Sequence, residues 1–315
     1  MKSPFENYGD FLGENEFGWN FSDLQQGDSI LMKTIDTLIE DINEVIKGKG
    51  GWTKAVNDYF KETIGEAAER RLTPSSEKRV KTLRMSNIGT PCKRKLWYYL
   101  NLPEHEQDLP ANAHLKFFYG DIIEGLLLSL AKAAGHAVEG EQDEIVVDSI
   151  VGHRDAVIDG VTVDVKSVSS MGFGKFKRNE LRVDDPFGYL KQLTGYVYGA
   201  KDDPLVTDKQ GGAFLVMDKQ FGHLHLDYYD LEHELVLFPS VVIATKVMSS
   251  MSVEPHREFD PVPDGKSGNM KLQAACSYCD YKWHCWPGLR GFAYANGPTY
   301  LTKCVNTPKV PEFKE

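Results

Sequence analysis

Apolar residues recur at three- and four-residue steps through Leu31, Ile35, Leu38, Ile39, Ile42, Val45 and Ile46. This spacing predicts an amphipathic helix that Asp28 or Ser29 caps and Gly48 stops. Ahead of it, residues 1–27 mix Gly, Asn, Asp and aromatics without a period and read as an irregular arm. A second helix is predicted from Trp52 to about Leu72, with Val56, Tyr59, Phe60 and Ile64 along one side and Thr73-Pro74 as its interruption. Beyond Ser86-Asn87-Ile88-Gly89-Thr90-Pro91 comes a short basic and aromatic helix, Lys93 to Leu100, with Cys92 at its mouth. A longer one runs from about Ala111 to Ala134 on the stripe Leu115, Phe118, Ile122, Leu126 and Leu130, carrying Glu124 and ending at Gly135.

The period then changes. Short Val- and Ile-rich segments at Glu144 to Val147, Ile150 to Ile158 and Val161 to Val168 read as strands, the last two joined antiparallel through the hairpin dipeptide Asp159-Gly160. A Gly, Lys and Phe loop follows, then a helix from Pro186 to about Ala200. Strands at Ala213 to Met217 and His223 to Tyr229 precede a last helix near Leu231 to Met248. Three strands, a helix, two strands and a helix predict a mixed α/β core, a central sheet flanked by helices. From Glu254 the chain is rich in Pro and Gly, with little apolar content to organise it.

A chain of 315 residues with 41% hydrophobic content is long enough for one large domain or for one domain and an appendage. No apolar run approaches the roughly 18 to 20 residues of a membrane span, and the opening MKSPFENYGDFLGENE lacks the basic-then-apolar pattern of a signal peptide. The expectation is a soluble, cytoplasmic protein, in the host cytoplasm if the chain is viral. A net charge of −10 argues against indiscriminate coating of nucleic acid, which draws its affinity from Lys and Arg. It leaves room for local basic runs such as residues 77–84, Lys93-Arg94-Lys95 and Lys175-Phe176-Lys177-Arg178.

The candidate chemistry lies in Gly152-His153-Arg154-Asp155 and Asp164-Val165-Lys166, on either side of Asp159-Gly160. Alternate strand residues share a face, so Asp164 and Lys166 project together, and a hairpin about Asp159-Gly160 makes Asp155 a near cross-strand neighbour of Asp164. Like charges that close disfavour ionisation, and a divalent cation relieves the repulsion. Magnesium or manganese suits such oxygen ligands, with the Val165 carbonyl as a further donor and Lys166 placed to orient or deprotonate a water. Strand alternation puts His153 on the Asp155 side, where it contacts phosphate or serves structure. Gln192 and Tyr196 lie one helical turn apart on one face.

Five cysteines, an odd count without a secretion signal, read as ligands or core thiols. Cys276, Cys279 and Cys285 form a C-x2-C-x5-C run that needs a fourth soft donor, either Cys92 or Cys304, to hold zinc or an iron-sulphur cluster.

Four motifs in order complete the picture: Gly120-Asp121-Ile122-Ile123-Glu124, Gly152 to Asp155, Asp164-Val165-Lys166, and Gln192-Leu193-Thr194-Gly195-Tyr196. Over about residues 86–290 the chain resembles the PD-(D/E)XK superfamily and, within it, the RecB-like nucleases, including those of CRISPR adaptation and bacterial break repair. Many relatives carry histidine where Glu124 stands; Asp121 is the second choice for the acidic participant. The resemblance implies a restriction-endonuclease-like core with Glu124, Asp155 and Asp164 as metal ligands, Lys166 at the water, and Gln192 and Tyr196 on the DNA backbone. It also implies that Cys92, Cys276, Cys279 and Cys285 hold a structural [4Fe-4S] cluster, zinc being the alternative, which staples the C-terminal segment to the core. Three regions are therefore expected: an N-terminal helical region (1–85), the nuclease core (86–290) and a C-terminal tail (291–315). The expected activity is exonucleolytic, on DNA ends or single strands. An endonuclease on the same core and a non-catalytic DNA-binding module are the rivals.

Overall fold

The computed structural model describes residues 33–73, 80–108 and 111–314. The predicted arm 1–27 and the predicted caps Asp28 and Ser29 lie outside them. A single 3-10 turn, Ile35–Thr37, leads into α1 (Leu38–Ile46), and Thr53 Oγ1 accepts from Val56 N to start α2 (Lys54–Leu72). Then come α3 (Met85–Ile88), α4 (Lys93–Asn101) and α5 (Ala111–Ala133). Among the described residues no helix is long and apolar enough to cross a membrane.

The protein is a mixed α/β structure with a mixed sheet flanked by helices. Five strands stand in the order β1 (Val138–Glu139), β4 (Ala156–Ile158), β5 (Val161–Val168), β6 (Gly211–Asp218) and β7 (Leu224–Asp230). Only the central β5 and β6 run parallel; the other pairs are antiparallel. Strand alternation divides β5 between two cores. Val163 and Val165, with Ala213 and Leu215, pack under Ile123, Leu127 and Leu128 of α5 and Leu38 and Ile42 of α1. Phe214 and Val216 pack on the opposite face under α6 (Ser170–Lys177) and α7 (Tyr189–Gly199). Tyr59 of α2 packs against the first of these cores.

Three expectations need correction. The predicted strand Ile150 to Ile158 is two strands in two sheets: β3 (Ile150–His153) pairs with β2 (Glu144–Val147) in a ribbon, while β4 joins the main sheet. The predicted loop after Val168 contains α6, capped by Ser169 Oγ and pinned to the sheet by Phe173 and Phe176 one turn apart. Finally, the segment after α8 (Glu232–Ser249) does have a core of its own. Strands β8 (Val262–Pro263), β9 (Met270–Lys271), β10 (Arg290–Tyr294), β11 (Gly297–Lys303) and β12 (Glu312–Phe313) form an antiparallel sheet in the order β12-β10-β11-β9-β8. Leu272, Leu289 and Tyr300 are buried there, with Cys276, Trp283, Trp286 and Phe313 packed against them.

Candidate active site

Asp159 and Gly160 both adopt positive φ, 50° and 81°, the requirement of a two-residue hairpin turn whose twist matches its strands. The turn sets the register Ile158↔Val161, Val157↔Thr162 and Ala156↔Val163, so Asp155 is next in line beside Asp164. The expected juxtaposition is present. Asp155 Oδ2 accepts the Val165 amide at 2.6 Å. Val165, expected to offer a carbonyl, thus lends its N–H to the site.

Arg154 breaks the strand immediately before Asp155. Its side chain is 0% exposed, and its guanidinium reaches Asp143 at 2.7 Å, Asp203 at 2.6 Å and the Gly140 carbonyl at 3.2 Å. A buried guanidinium is tolerable only when paired in this way. Burial works against ionisation of Asp203, but the Leu205 amide and Arg154 hold its carboxyl below the usual range. The cost of that ion cluster fixes where β3 ends and β4 begins.

Glu124 reaches the same place from α5, where Gln142 Nε2 donates to its carboxylate at 2.7 Å. Burial, then the charges of Asp121 and Asp164, push its carboxyl up to about 7. Asp155 is pushed well above the carboxylate range by burial, Glu124 and Asp164. Lys166 forms an ion pair with Asp164, and its ammonium lies 5.1 Å from the centre of the Tyr189 ring. Burial alone would lower its pKa, but Asp164 and Asp155 reverse that and hold it above the ordinary lysine value. Asp121, the second choice on the helix, is occupied: Arg71 grips it at 2.7 and 3.0 Å and Arg70 adds a contact at 3.3 Å.

Gln192 Nε2 donates to Tyr196 Oη at 3.0 Å, and Tyr196 is 3% exposed. Burial and then Asp164 raise its hydroxyl pKa, so the phenol borders the acidic cluster as a neutral group. A Cβ on Gly152 would lie 2.8 Å from Tyr196 Cε1 and 2.4 Å from Met85 Cβ, which explains why glycine opens the second motif. His153 is not brought to the acids. It is exposed on the ribbon, 4.0 Å from Glu144, because the break at Arg154 removes it from the Asp155 strand. Among the described residues no three His, Cys, Asp or Glu side chains converge on a common point as a ready-made ion site.

Three participants escaped the sequence reading: Arg154, Gln142 and Tyr189. Only an arginine inside an otherwise apolar strand pattern pointed to the first. Tyr189 begins α7, whose entry is held by Asp185: its carboxylate accepts from Gly188 N at 2.8 Å and Leu190 N at 2.9 Å. Gly188, at φ 76°, crosses Gly89 so closely that a Cβ on either would lie about 2 Å from the other's carbonyl oxygen, 2.1 Å from Gly89 O or 2.2 Å from Gly188 O.

Elsewhere, four cysteines lie within reach of one another's charge. Cys92 caps α4, its Sγ accepting from Lys95 N at 3.4 Å. Burial, then Cys92, Cys279 and Cys285, push the Cys276 thiol up to about 12. The Cys279 thiol rises to about 11 by burial, opposed by Lys95 and assisted by Cys92. Burial and Cys285 raise Cys92. Cys92 thus lies within electrostatic reach of the other three thiols. Cys304 instead lies in a turn, 3.6 Å from the Asn306 carbonyl. Ion pairs Lys95–Asp280 at 3.3 Å and Arg94–Glu254 bind α4 to the flanking segments, and Arg257 stacks over Trp286 at 4.1 Å.

No protein-family model matches the chain, and no curated protein matches it. A solved structure titled "Crystal structure of SSO0001" aligns with it over 71% of this chain and 95% of the other, at 14% identity and a TM-score of 0.38. That likeness is too slight to carry an argument about fold or function.

Proposed function

We propose that the chain is a metal-dependent deoxyribonuclease with a restriction-endonuclease-like, RecB-type PD-(D/E)XK core. One observation carries the reading: Asp155 and Asp164 side by side just past the last paired rung of a hairpin, with Glu124 and Lys166 brought to them, two of the acids being pushed up by their shared burial. Glu124, Asp155 and Asp164 suit a hard divalent cation, magnesium or manganese, because the cation relieves the repulsion that raises the two carboxyls. When bound, it supplies Lewis acidity at the scissile phosphodiester and favours ionisation of a water. The Val165 amide fixes the rotamer of Asp155, and Gln142 orients Glu124. Lys166, a full cation beside Asp164, positions the attacking water and offsets charge developing on phosphate oxygens. Tyr196, buttressed by Gln192, borders the cluster where the DNA backbone is to pass.

Cys92, Cys276, Cys279 and Cys285 suit four-thiolate ligation in the same reading, as a [4Fe-4S] cluster closing the loop between α4 and the C-terminal sheet. Protein purified without oxygen is expected to be brown with broad visible absorption; a colourless, zinc-loaded protein would replace iron with zinc. Exonuclease action on DNA ends or single strands is the expected mode. With manganese, linear DNA is expected to be degraded and covalently closed circles spared, and Asp164→Ala is expected to abolish degradation. Cutting of circles selects the endonuclease. Equal degradation by the variant defeats the assignment.

A further inference from the structure

An aromatic stack leads from the interior to the surface beside Lys166. Phe176 and Phe214, both buried, lie 5.3 Å apart edge to face. Tyr189 stacks on Phe176 at 6.1 Å and 26°, and Phe187 stacks on Tyr189 at 5.3 Å and 28°. The stack ends there: Phe187 is 57% exposed. What sets this ring apart from the other exposed apolar side chains is its place at the outer end of a stack anchored in the core and leading to Lys166.

The backbone that carries the ring is held in place. Asp185 clamps the backbone on its C-terminal side through Gly188 N and Leu190 N, and Pro186 restricts it on the other. The crossing with Gly89 fixes Gly188 itself. An aromatic ring on a fixed backbone, backed by a second ring, suits stacking of a planar ligand. Its inner neighbour Tyr189 lies 5.1 Å from the ammonium assigned to the phosphodiester.

We propose that Phe187 is a nucleobase-stacking platform, binding the base of a nucleotide next to the scissile phosphate in a single-stranded substrate. The proposal rests on the nuclease reading for its substrate class. It implies that the enzyme grips a base with an open face, which an unpaired base offers and a base inside a duplex does not.

The test uses the full chain in EDTA, so that hydrolysis is blocked, with single-stranded oligonucleotides carrying 2-aminopurine at successive positions. Quenching is expected at one position in the native protein, retained in Phe187→Tyr and lost in Phe187→Ala, whose affinity falls about tenfold. An abasic nucleotide at that position is expected to weaken native binding to a similar degree and to add nothing to Phe187→Ala. Unchanged affinity and quenching in Phe187→Ala, while the native protein binds, overturn the platform alone. Quenching that depends on Phe187 in a protein that never hydrolyses DNA with manganese overturns the nuclease reading and leaves the platform. A native protein that binds no single strand overturns the platform, and degradation of linear DNA with manganese decides the nuclease reading separately. Unchanged melting of Phe187→Ala establishes that the loss is not unfolding.

Discussion

A carboxyl pushed up to about 7 binds its proton more tightly in the folded chain than in the unfolded one, and so Glu124 ties stability to pH. With the folded pKa above the unfolded value, its stabilising contribution is complete below about 4.5 and is lost as pH rises through about 7. Asp155 acts in the same direction. The metal-free protein is expected to melt at a higher temperature at pH 5 than at pH 8, with Glu124→Gln flattening the difference. Divalent ions reverse the trend, because ligation needs the ionised carboxylates and releases protons. Manganese titrations at rising pH are expected to tighten; a metal-free melting curve independent of pH would refute the burial argument. Gly152→Ala is expected to cost about 1 to 3 kcal/mol by overpacking against Met85 and Tyr196, read by chemical denaturation.

At the level of elements, the hairpin about Asp159-Gly160 was legible because its signal is local: a turn dipeptide between Val-rich runs. So were α1, α2, α5, α7 and α8, whose apolar positions repeat at helical steps. The break at Arg154 was not legible, since its cause is a pair of carboxylates, Asp143 and Asp203, one of them 49 residues away in sequence. Removing that guanidinium in Arg154→Met leaves both carboxylates without their partner and is expected to cost about 1 to 2 kcal/mol, since water reaches the half-exposed Asp143 and the partly exposed Asp203. Asp143→Asn with Asp203→Asn is expected to recover part of the loss in a multiple-mutant cycle. Additive effects would mean the cluster does not lock the break. The predicted loop that proved to be α6 failed for another reason: its glycines mask a helix held by tertiary contacts of Phe173 and Phe176.

Over the whole molecule, the sequence reading placed the mixed sheet and its flanking helices but missed the C-terminal sheet. Its strands are short, its core is mainly aromatic, and much of its apolar surface belongs to residues around the cysteines. Cys92 and Cys276 are far apart in sequence yet electrostatic neighbours in space, so the proposed cluster would tie α4 to this sheet. Cys92→Ser is expected to lower the melting temperature and to render the segment after residue 254 protease-sensitive, while the hairpin acids stay in place. Retained protection would show that the C-terminal sheet stands on its own contacts.

The crossing of Gly89 and Gly188 limits what mutation can explore. Each carbonyl occupies the space that a methyl group on the opposite residue would need, so no single replacement at either position can be absorbed by side-chain rotation. In a saturation library selected for folded protein, both codons should return glycine, whereas Pro186 and Phe187 nearby accept many alternatives. That narrow tolerance, beside broad tolerance at the next residue, would map the point at which two distant stretches of chain are wedged together.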